Sequence, residues 1–222
     1  MIYLIPTPIG NLEDMTFRAI RLLKEVDVVL AEDTRVSSKL LKHYDIATPL
    51  ESFHMHNEHQ KVSKIIAQLQ AGRSLALISD AGTPGISDPG FLIVRAAVEA
   101  GVEIHCLPGP TALIPALVQS GIPCDRFNFE GFLPPKKGRL SRLEAMAKAQ
   151  NTLVFYESPH KLIKLLEQMI PIFGAQRKIA IVRELSKLYE STFRGTLEEA
   201  FDFFSQKSPR GEFVIIVEGI KI

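Results

Sequence analysis

Apolar and polar positions along the chain fall into two recurring patterns: short apolar runs, and amphipathic stretches whose apolar residues are spaced three and four apart. IYLI at 2–5 predicts a strand, the segment from Thr16 to Lys24 a helix, and VDVVLA at 26–31 a second strand. A helix follows over 37–44, then a short extended piece over 50–53. The next helix is stronger, because Val62, Ile65, Ile66 and Leu69 sit at i, i+3, i+4 and i+7, with Asn57 placed to cap it and Gly72 to close it. LALIS at 75–79, a helix over 91–100, VEIHCL at 102–107 and a helix over 111–119 complete the first half. Strands separated by helices imply an α/β fold with a mainly parallel sheet covered on both faces.

Gly, Pro and Asp between Gly121 and Asp125 mark a linker, which predicts two lobes, 1–120 and 121–222. In the second lobe FNFEGF at 127–132 reads as a strand, 139–149 as a helix, TLVFYE at 152–157 as a strand, and 159–170 as a helix with proline in its first turn. KIAIVREL at 178–185 and YESTFRG at 189–195 have no helix between them and predict an antiparallel pair, so this lobe carries a mixed sheet. A short helix over 197–204 and the strand EFVIIVEG at 212–219 close the chain.

Composition changes this picture little. With 46% hydrophobic and 23% charged residues, the chain can bury a core without metals or cross-links. Cys106 and Cys124 form no CxxC pair, which leaves neither a zinc-ribbon nor a disulfide framework. The opening MIYLIPTPIG fails as a signal peptide, and no segment reaches the ~20 apolar residues that span a bilayer, so a cytoplasmic location without membrane contact is expected. A net charge of +1 neither requires nor excludes nucleic acid.

Ligands of open α/β sheets bind beyond the carboxyl ends of the strands. Three such ends are rich in Gly and Pro: PTPIGN at 6–11, DAGTPGISDPG at 80–90 and PGPTA at 108–112. Glycine admits close backbone approach to a ligand and proline stiffens the loop, whereas turn chemistry alone would explain a single loop of this kind. Neither GxxxxGK[ST] nor GxGxxG after the first strand occurs, which disfavours a nucleoside triphosphate or NAD. Backbone carbonyls, a carboxylate and a small apolar pocket suit a cationic sulfonium cofactor instead.

PTPIGNLEDMT at 6–16, VDVVLAEDTR at 26–35, SDAGTPGISDPG at 79–90, LPGPTAL at 107–113, DRFNFEGFLPPKKGR at 125–139, FYESPHKL at 155–162, RELSKLYE at 183–190 and RGEFVIIVEG at 210–219 run through nearly the whole chain. Together they resemble the ribosomal RNA small subunit methyltransferase I family, of the tetrapyrrole methylase fold. The resemblance implies a homodimer of two-lobed subunits with S-adenosyl-L-methionine in the cleft between lobes. It also implies 2′-O-methylation of a cytidine ribose in the decoding region of small-subunit (16S) ribosomal RNA. Carried onto matching positions, Pro8, Asp80, Ala81, Gly82, Thr83, Pro84, Thr111 and Ala112 would surround the cofactor, and Tyr156 and Glu184 would approach it from the second lobe. Longer members of the family carry a helical segment beyond the last strand, whereas this sequence stops at Ile222, so any RNA contacts made by that segment are expected to be missing.

Two roles compete for Asp33 in AEDTR: general base for the hydroxyl, or cap of the helix that follows. His54 and His56 are further proton-transfer candidates, against the ordinary behaviour of loop histidines. HMHNEH at 54–59 also spells a metallohydrolase-like pattern, with His105, Asp125 and His160 further on; that rival reading leaves the glycine and proline loops unexplained, and no metal is expected. Lys136, Lys137, Arg139 and Arg142 make a compact basic cluster and, with Arg35, are the candidate RNA contacts; a solvated charge run is the plain alternative. Methylation of a tetrapyrrole or another small molecule is the alternative within the same fold.

Overall fold

In the first half of the chain the strands β1 (Ile2–Leu4), β2 (Val28–Ala31), β3 (Leu50–Ser52), β4 (Leu75–Ile78) and β5 (Ile104–Cys106) alternate with helices α1 (Phe17–Glu25), α2 (Thr34–His43), α3 (Glu58–Gln70) and α4 (Phe91–Glu99). The computed structural model describes residues 1–220. It divides into two units, Met1–Thr111 and Ala112–Ile222. The first sheet is parallel throughout, in the order β3-β2-β4-β1-β5. Successive residues of β2 and β4 feed opposite cores. Val29, Ala31, Ala76 and Ile78 pack with Leu22 and Leu23 of α1 and Leu41 of α2. Val28, Leu30, Leu75 and Leu77 pack with Ile65 and Leu69 of α3 and Ile93 and Ala97 of α4. Burial on both faces explains why these strands read as unbroken apolar runs.

The strand order also explains the split of helices between faces. From β1 the chain moves across β4 to β2 and on to β3, then turns back to β4 and β5. Right-handed crossovers in opposite directions place their helices on opposite faces. Adjacent strands β1 and β4 therefore send their loops apart, which makes their carboxyl ends the switch point of the sheet.

Local capping sets the helix starts. Thr16 Oγ1 accepts from the Ala19 N–H at 3.1 Å at the start of α1. Helix α2 begins three residues before the predicted 37, because Asp33 caps it and draws Thr34 to Val36 into the first turn. Asn57 precedes α3 as predicted, but its side chain caps none of the helix N–H groups. Its Oδ1 instead accepts from the His54 N–H at 2.9 Å, and its amide reaches Ser52 Oγ at 3.3 Å, so it braces the preceding loop.

The second unit holds α5 (Leu113–Ser120), β6 (Phe127–Phe132), α6 (Arg139–Met146), β7 (Thr152–Glu157), α7 (Pro159–Phe173), β8 (Lys178–Arg183), β9 (Ser191–Thr196), α8 (Leu197–Ser205) and β10 (Phe213–Val217). The sheet order is β6-β7-β10-β8-β9, with β6 and β7 parallel and the remaining pairs antiparallel. Helices α6, α7 and α8 cover one face. Helix α5 covers the other through Ala116 and Leu117, against Val154, Ala180, Val182, Val214 and Ile216. That packing moves the division between units to residue 111, one helix before the predicted 120. Arg194 of β9 fastens the end of α5 by donating to the carbonyls of Gln119 and Ser120. Helix α7 runs past the predicted 170 through Pro171, with Met169 and Phe173 buried on either side of that proline.

Arg139 opens α6 and points inward, not toward solvent. Its side chain is 4% exposed; Nη2 meets Glu157 Oε2 at 2.8 Å and Nε donates to Gln168 Oε1 at 2.9 Å. The remaining Glu157 oxygen accepts from the Ser158 N–H at 2.9 Å. Arg139 thus ties α6, β7 and α7 together and is withdrawn from the RNA-contact candidates, because a cation enclosed by its own carboxylate has no face left for a phosphate. Truncation would leave the Glu157 charge buried without its partner, a loss of about 3–5 kcal/mol for such pairs. Arg139→Ala should lower the urea midpoint accordingly, whereas replacing Arg139 and Glu157 together with apolar residues should recover much of the loss.

Candidate active site

The loops after β1 and β4 are joined by a two-way backbone bridge. The Thr7 N–H donates to Gly82 O at 3.0 Å, and the Gly82 N–H donates to Thr7 O at 2.9 Å. Thr7 is fully buried, and its hydroxyl donates to Ser79 O at 2.9 Å, while Ser79 Oγ donates to Gly82 O at 3.0 Å. Gly82 has φ +80°, where a side chain is strained whatever the space. The loop after β5 closes on the same place: a Cβ on Gly109 would lie 2.9 Å from Pro6 Cβ. The three glycine and proline loops singled out in the sequence are therefore one assembly. Within it Pro8, Gly82 and Pro84 are buried, Thr83 is half-buried, and Asp80 and Ala81 face solvent.

Carboxylates gather beside this assembly. The Asp33 N–H donates to Asp80 Oδ1 at 3.1 Å, which ties the end of β2 to the β4 loop. Glu32, Asp33, Arg35, Ser52, His54, His56 and Asp80 line one depression with Thr34, so residues from three separate stretches of sequence meet there. The Asp33 carboxylate is held bidentately by Arg35, with Nε at 3.1 Å and Nη2 at 2.6 Å, and accepts from the Arg35 N–H at 2.8 Å. Those bonds, first from the Arg35 side chain and then from its backbone, lower its pKa to about 2. Both roles proposed for Asp33 concern this side chain, and its geometry is that of a helix cap.

Asp88 carries the opposite perturbation and had no functional signal in the sequence, where the DPG tripeptide at 88–90 reads as turn chemistry. Burial, followed by the nearby Glu32 and Asp80 charges, raises its pKa to about 7. Glu32 is also raised, by burial and then by Asp80, with His54 opposing the shift. His54 Nε2 lies 3.1 Å from the Asn57 side-chain nitrogen, and its ring is 5.9 Å from that of His56. Because the Asn57 oxygen is engaged by the His54 N–H, the contact at 3.1 Å is an N–H donated to Nε2, and the neutral ring carries its proton on Nδ1.

The HMHNEH stretch does not assemble as a ligand set. His59 lies exposed in α3, His105 Nε2 meets Glu103 Oε1 at 2.8 Å and its ring stacks on Tyr3 at 5.3 Å. Among the described residues no three His, Cys, Asp or Glu side chains converge in a metal-binding arrangement.

In the second unit, Tyr156 packs its ring against Phe129 at 5.0 Å and Phe132 at 5.6 Å. Glu184 has φ +51°, and its Oε1 accepts from Lys187 Nζ at 3.0 Å and from the Glu212 N–H at 2.9 Å. Burial alone would raise the Glu184 pKa, but those bonds outweigh it and the net shift is downward. Of the basic candidates, Lys136 and Lys137 are exposed, and Arg142 pairs with Glu130 at 3.0 Å. Arg35 is highly exposed while bound to Asp33.

A parallel sheet of this order followed by a mixed sheet is the architecture of the tetrapyrrole methylases. The family model described as Tetrapyrrole (Corrin/Porphyrin) Methylases matches residues 1–200. Cobalt precorrin-4 methyltransferase shares the fold at a TM-score of 0.69 and 18% identity, over 98% of this chain and 94% of that one. Uroporphyrin-III C-methyl transferase from Thermus thermophilus, solved with S-adenyl homocysteine, does so at 0.65 and 21%, over 98% and 96%. Curated relatives are far nearer in sequence. Ribosomal RNA small subunit methyltransferase I of Synechocystis is 47% identical over 99% of this chain and 79% of its own length. That of Halalkalibacterium halodurans is 51% identical over 98% and 75%. The chain belongs to the ribosomal RNA small subunit methyltransferase I family.

The carboxylate cluster has a measurable consequence for stability. Asp88 keeps its proton in the fold above its ordinary pKa of 3.8, so it favours folding at low pH. As pH rises from about 4 to about 7, the unfolded chain ionises first and that advantage is lost. Asp88→Asn should leave urea stability at pH 4 near wild type, raise it at pH 8 and flatten the slope between; an unchanged slope would place the perturbation elsewhere.

Proposed function

We propose that this chain methylates the ribose 2′-hydroxyl of a cytidine in small-subunit ribosomal RNA, with S-adenosyl-L-methionine as methyl donor. Similarity over nearly all of this chain to relatives named ribosomal RNA small subunit methyltransferase I carries the ribosomal RNA part of the reading, and the cytidine ribose comes from the family resemblance. The switch-point geometry supports the cofactor half of it. Burial and then neighbouring carboxylates raise the proton affinity of Glu32 and Asp88, and the β4 loop from residue 79 to 90 contains no Lys or Arg. Such a surface disfavours phosphate and suits a ligand bearing ammonium and sulfonium charges.

When bound, the cofactor supplies an activated methyl group. Asp80 and the backbone of Ala81 and Thr83 would hold its polar ends, with Gly82 locked to Thr7 beneath them and Pro8 and Pro84 stiffening the loops behind. Thr111, Ala112, Tyr156 and Glu184 enter this proposal through the family resemblance alone. The chain's main catalytic task is alignment, since displacement at an activated methyl requires little more than an oriented hydroxyl and a proton acceptor. We assign Asp33 to positioning: it caps α2 and fixes Arg35, and a carboxylate saturated by a guanidinium has little proton affinity. His56 and Asp88 remain as proton acceptors near the depression, whereas His54 Nε2 is already engaged by the Asn57 amide. The enzyme is expected to act in the cytoplasm as a homodimer; no helix among the described residues is long and apolar enough to cross a membrane.

Labelled S-adenosyl-L-methionine incubated with the protein and unmethylated small subunits should transfer its methyl to one cytidine ribose, located by mapping the modified nucleotide. Transfer to a tetrapyrrole and not to RNA would replace the acceptor while sparing the cofactor. Gly82→Val should abolish cofactor binding in calorimetry, because a branched side chain at φ +80° must break the Thr7 bridge. Asp33→Asn keeps a capping oxygen and should retain most of the turnover. A loss of about 100-fold or more would return the base role to Asp33.

A further inference from the structure

A groove in the second unit, formed by β8, the start of β9, the end of α8 and the segment 206–210, is lined by cations and aromatic rings and by no carboxylate. Its volume is about 670 Å³, and Arg183, Lys207 and Arg210 line it together with Ser191, Ser208 and Phe203. Arg183 is fixed in place, its Nε donating to Arg210 O at 2.6 Å, which also pins the 206–210 segment to the sheet. The side chains of Lys207 and Arg210 are exposed and make no hydrogen bond or ion pair to other described residues. They contrast with Arg139 and Arg142, whose charges are already matched.

The aromatic side is equally specific. Phe203 is 56% exposed, yet its ring is not loose. It lies against Phe193 at 5.3 Å with an interplanar angle of 35°, and Phe204 meets it edge-on at 5.0 Å. Phe204 in turn packs edge-on against the buried Phe213 at 5.8 Å, so the exposed ring stands on an aromatic stack rooted in the core. A large apolar ring held immobile at the surface costs hydration without gaining burial, and its position beside unpaired cations gives it a use.

We propose that this groove binds single-stranded RNA, with Phe203 as the stacking platform for a base and Lys207, Arg210 and Arg183 as contacts to the adjoining phosphates. Stacking platforms beside basic grooves are how single strands are held without sequence readout, and a duplex keeps its bases from such a ring. The proposal rests on the ribosomal RNA reading above and adds to it a surface separate from the Lys136 and Lys137 segment.

The test uses the full chain and a fluorescein-labelled single-stranded RNA of about 12 nucleotides, with a hairpin duplex of equal length for comparison, read by anisotropy over a salt series. Phe203→Ala should weaken single-strand binding on the order of 10-fold. Phe203→Leu, which keeps an apolar contact to Phe193, should lose nearly as much. Lys207→Ala with Arg210→Ala should reduce the slope of log affinity against log salt by about 1.4, the value for two phosphate contacts on a single strand. Calorimetric affinity for S-adenosyl-L-methionine should be unchanged in all three proteins, which separates the groove from misfolding. Wild-type affinity and salt slope in the variants, or equal losses on the hairpin, would overturn the assignment. Failure of the methyltransferase reading would appear differently, as absent methyl transfer by the wild-type protein, and the oligonucleotide measurements would still decide the groove.

Discussion

The reciprocal hydrogen bonds between Thr7 and Gly82 join two loops that the topology would otherwise send to opposite faces of the sheet. Crossovers from β1 and β4 leave in opposite directions, so their carboxyl ends open a crevice that must be closed by something other than a helix. The bridge supplies that closure, and the buried Thr7 hydroxyl adds a third bond to Ser79. Gly82 is needed because its φ of +80° turns the β4 loop back toward β1, and Gly109 is needed because the β5 loop lies against Pro6. With these contacts in place, Asp80 stands at the rim, where it accepts from the Asp33 N–H and draws the end of β2 into the same site.

That convergence fixes the electrostatics. Glu32 and Asp33 are neighbours in sequence but have opposite fates: Asp33 is neutralised by Arg35, while burial and then Asp80 raise Glu32. Asp88 adds a third carboxylate from the far end of the β4 loop. Protonation of Asp88 relieves part of the repulsion, and a ligand of positive charge would relieve the rest.

The strand–helix alternation was legible because both faces of β2 and β4 are buried, and unbroken apolar runs are what such strands require. The antiparallel β8–β9 pair was legible from the missing helix between two runs. The unit boundary was not, because α5 precedes the Gly and Pro linker in sequence yet buries Ala116 and Leu117 against strands that come later. Distant partners decide such assignments, and periodicity does not report them. Arg139 failed for the same reason: in sequence it belongs to a run of exposed cations, and only the position of Glu157, eighteen residues on, shows that it is buried. Asp88 was hidden by its setting in a turn, since its perturbation comes from burial and then from Glu32 and Asp80, none of which its local sequence reports. The glycine and proline loops, by contrast, were visible because backbone constraint is written in the residue type itself.

A net charge of +1 conceals a division of labour. Carboxylates gather at the switch point of the first unit, where burial and then their neighbours raise the pKa values of Glu32 and Asp88. In the second unit, Lys136 and Lys137 are exposed without an ion pair among the described residues, and Lys207 and Arg210 line a groove that holds no carboxylate. The two ligands of the proposed reaction have opposite charge, a sulfonium donor and a polyanionic acceptor. A single surface potential would attract one and repel the other, and a near-neutral chain with mixed charges throughout would steer neither. Keeping the acidic depression and the basic groove as separate local surfaces lets each ligand meet a field of the right sign while the whole protein stays close to neutral. Average charge is therefore a poor guide to acceptor class here, and the arrangement of paired and unpaired ions is the better one.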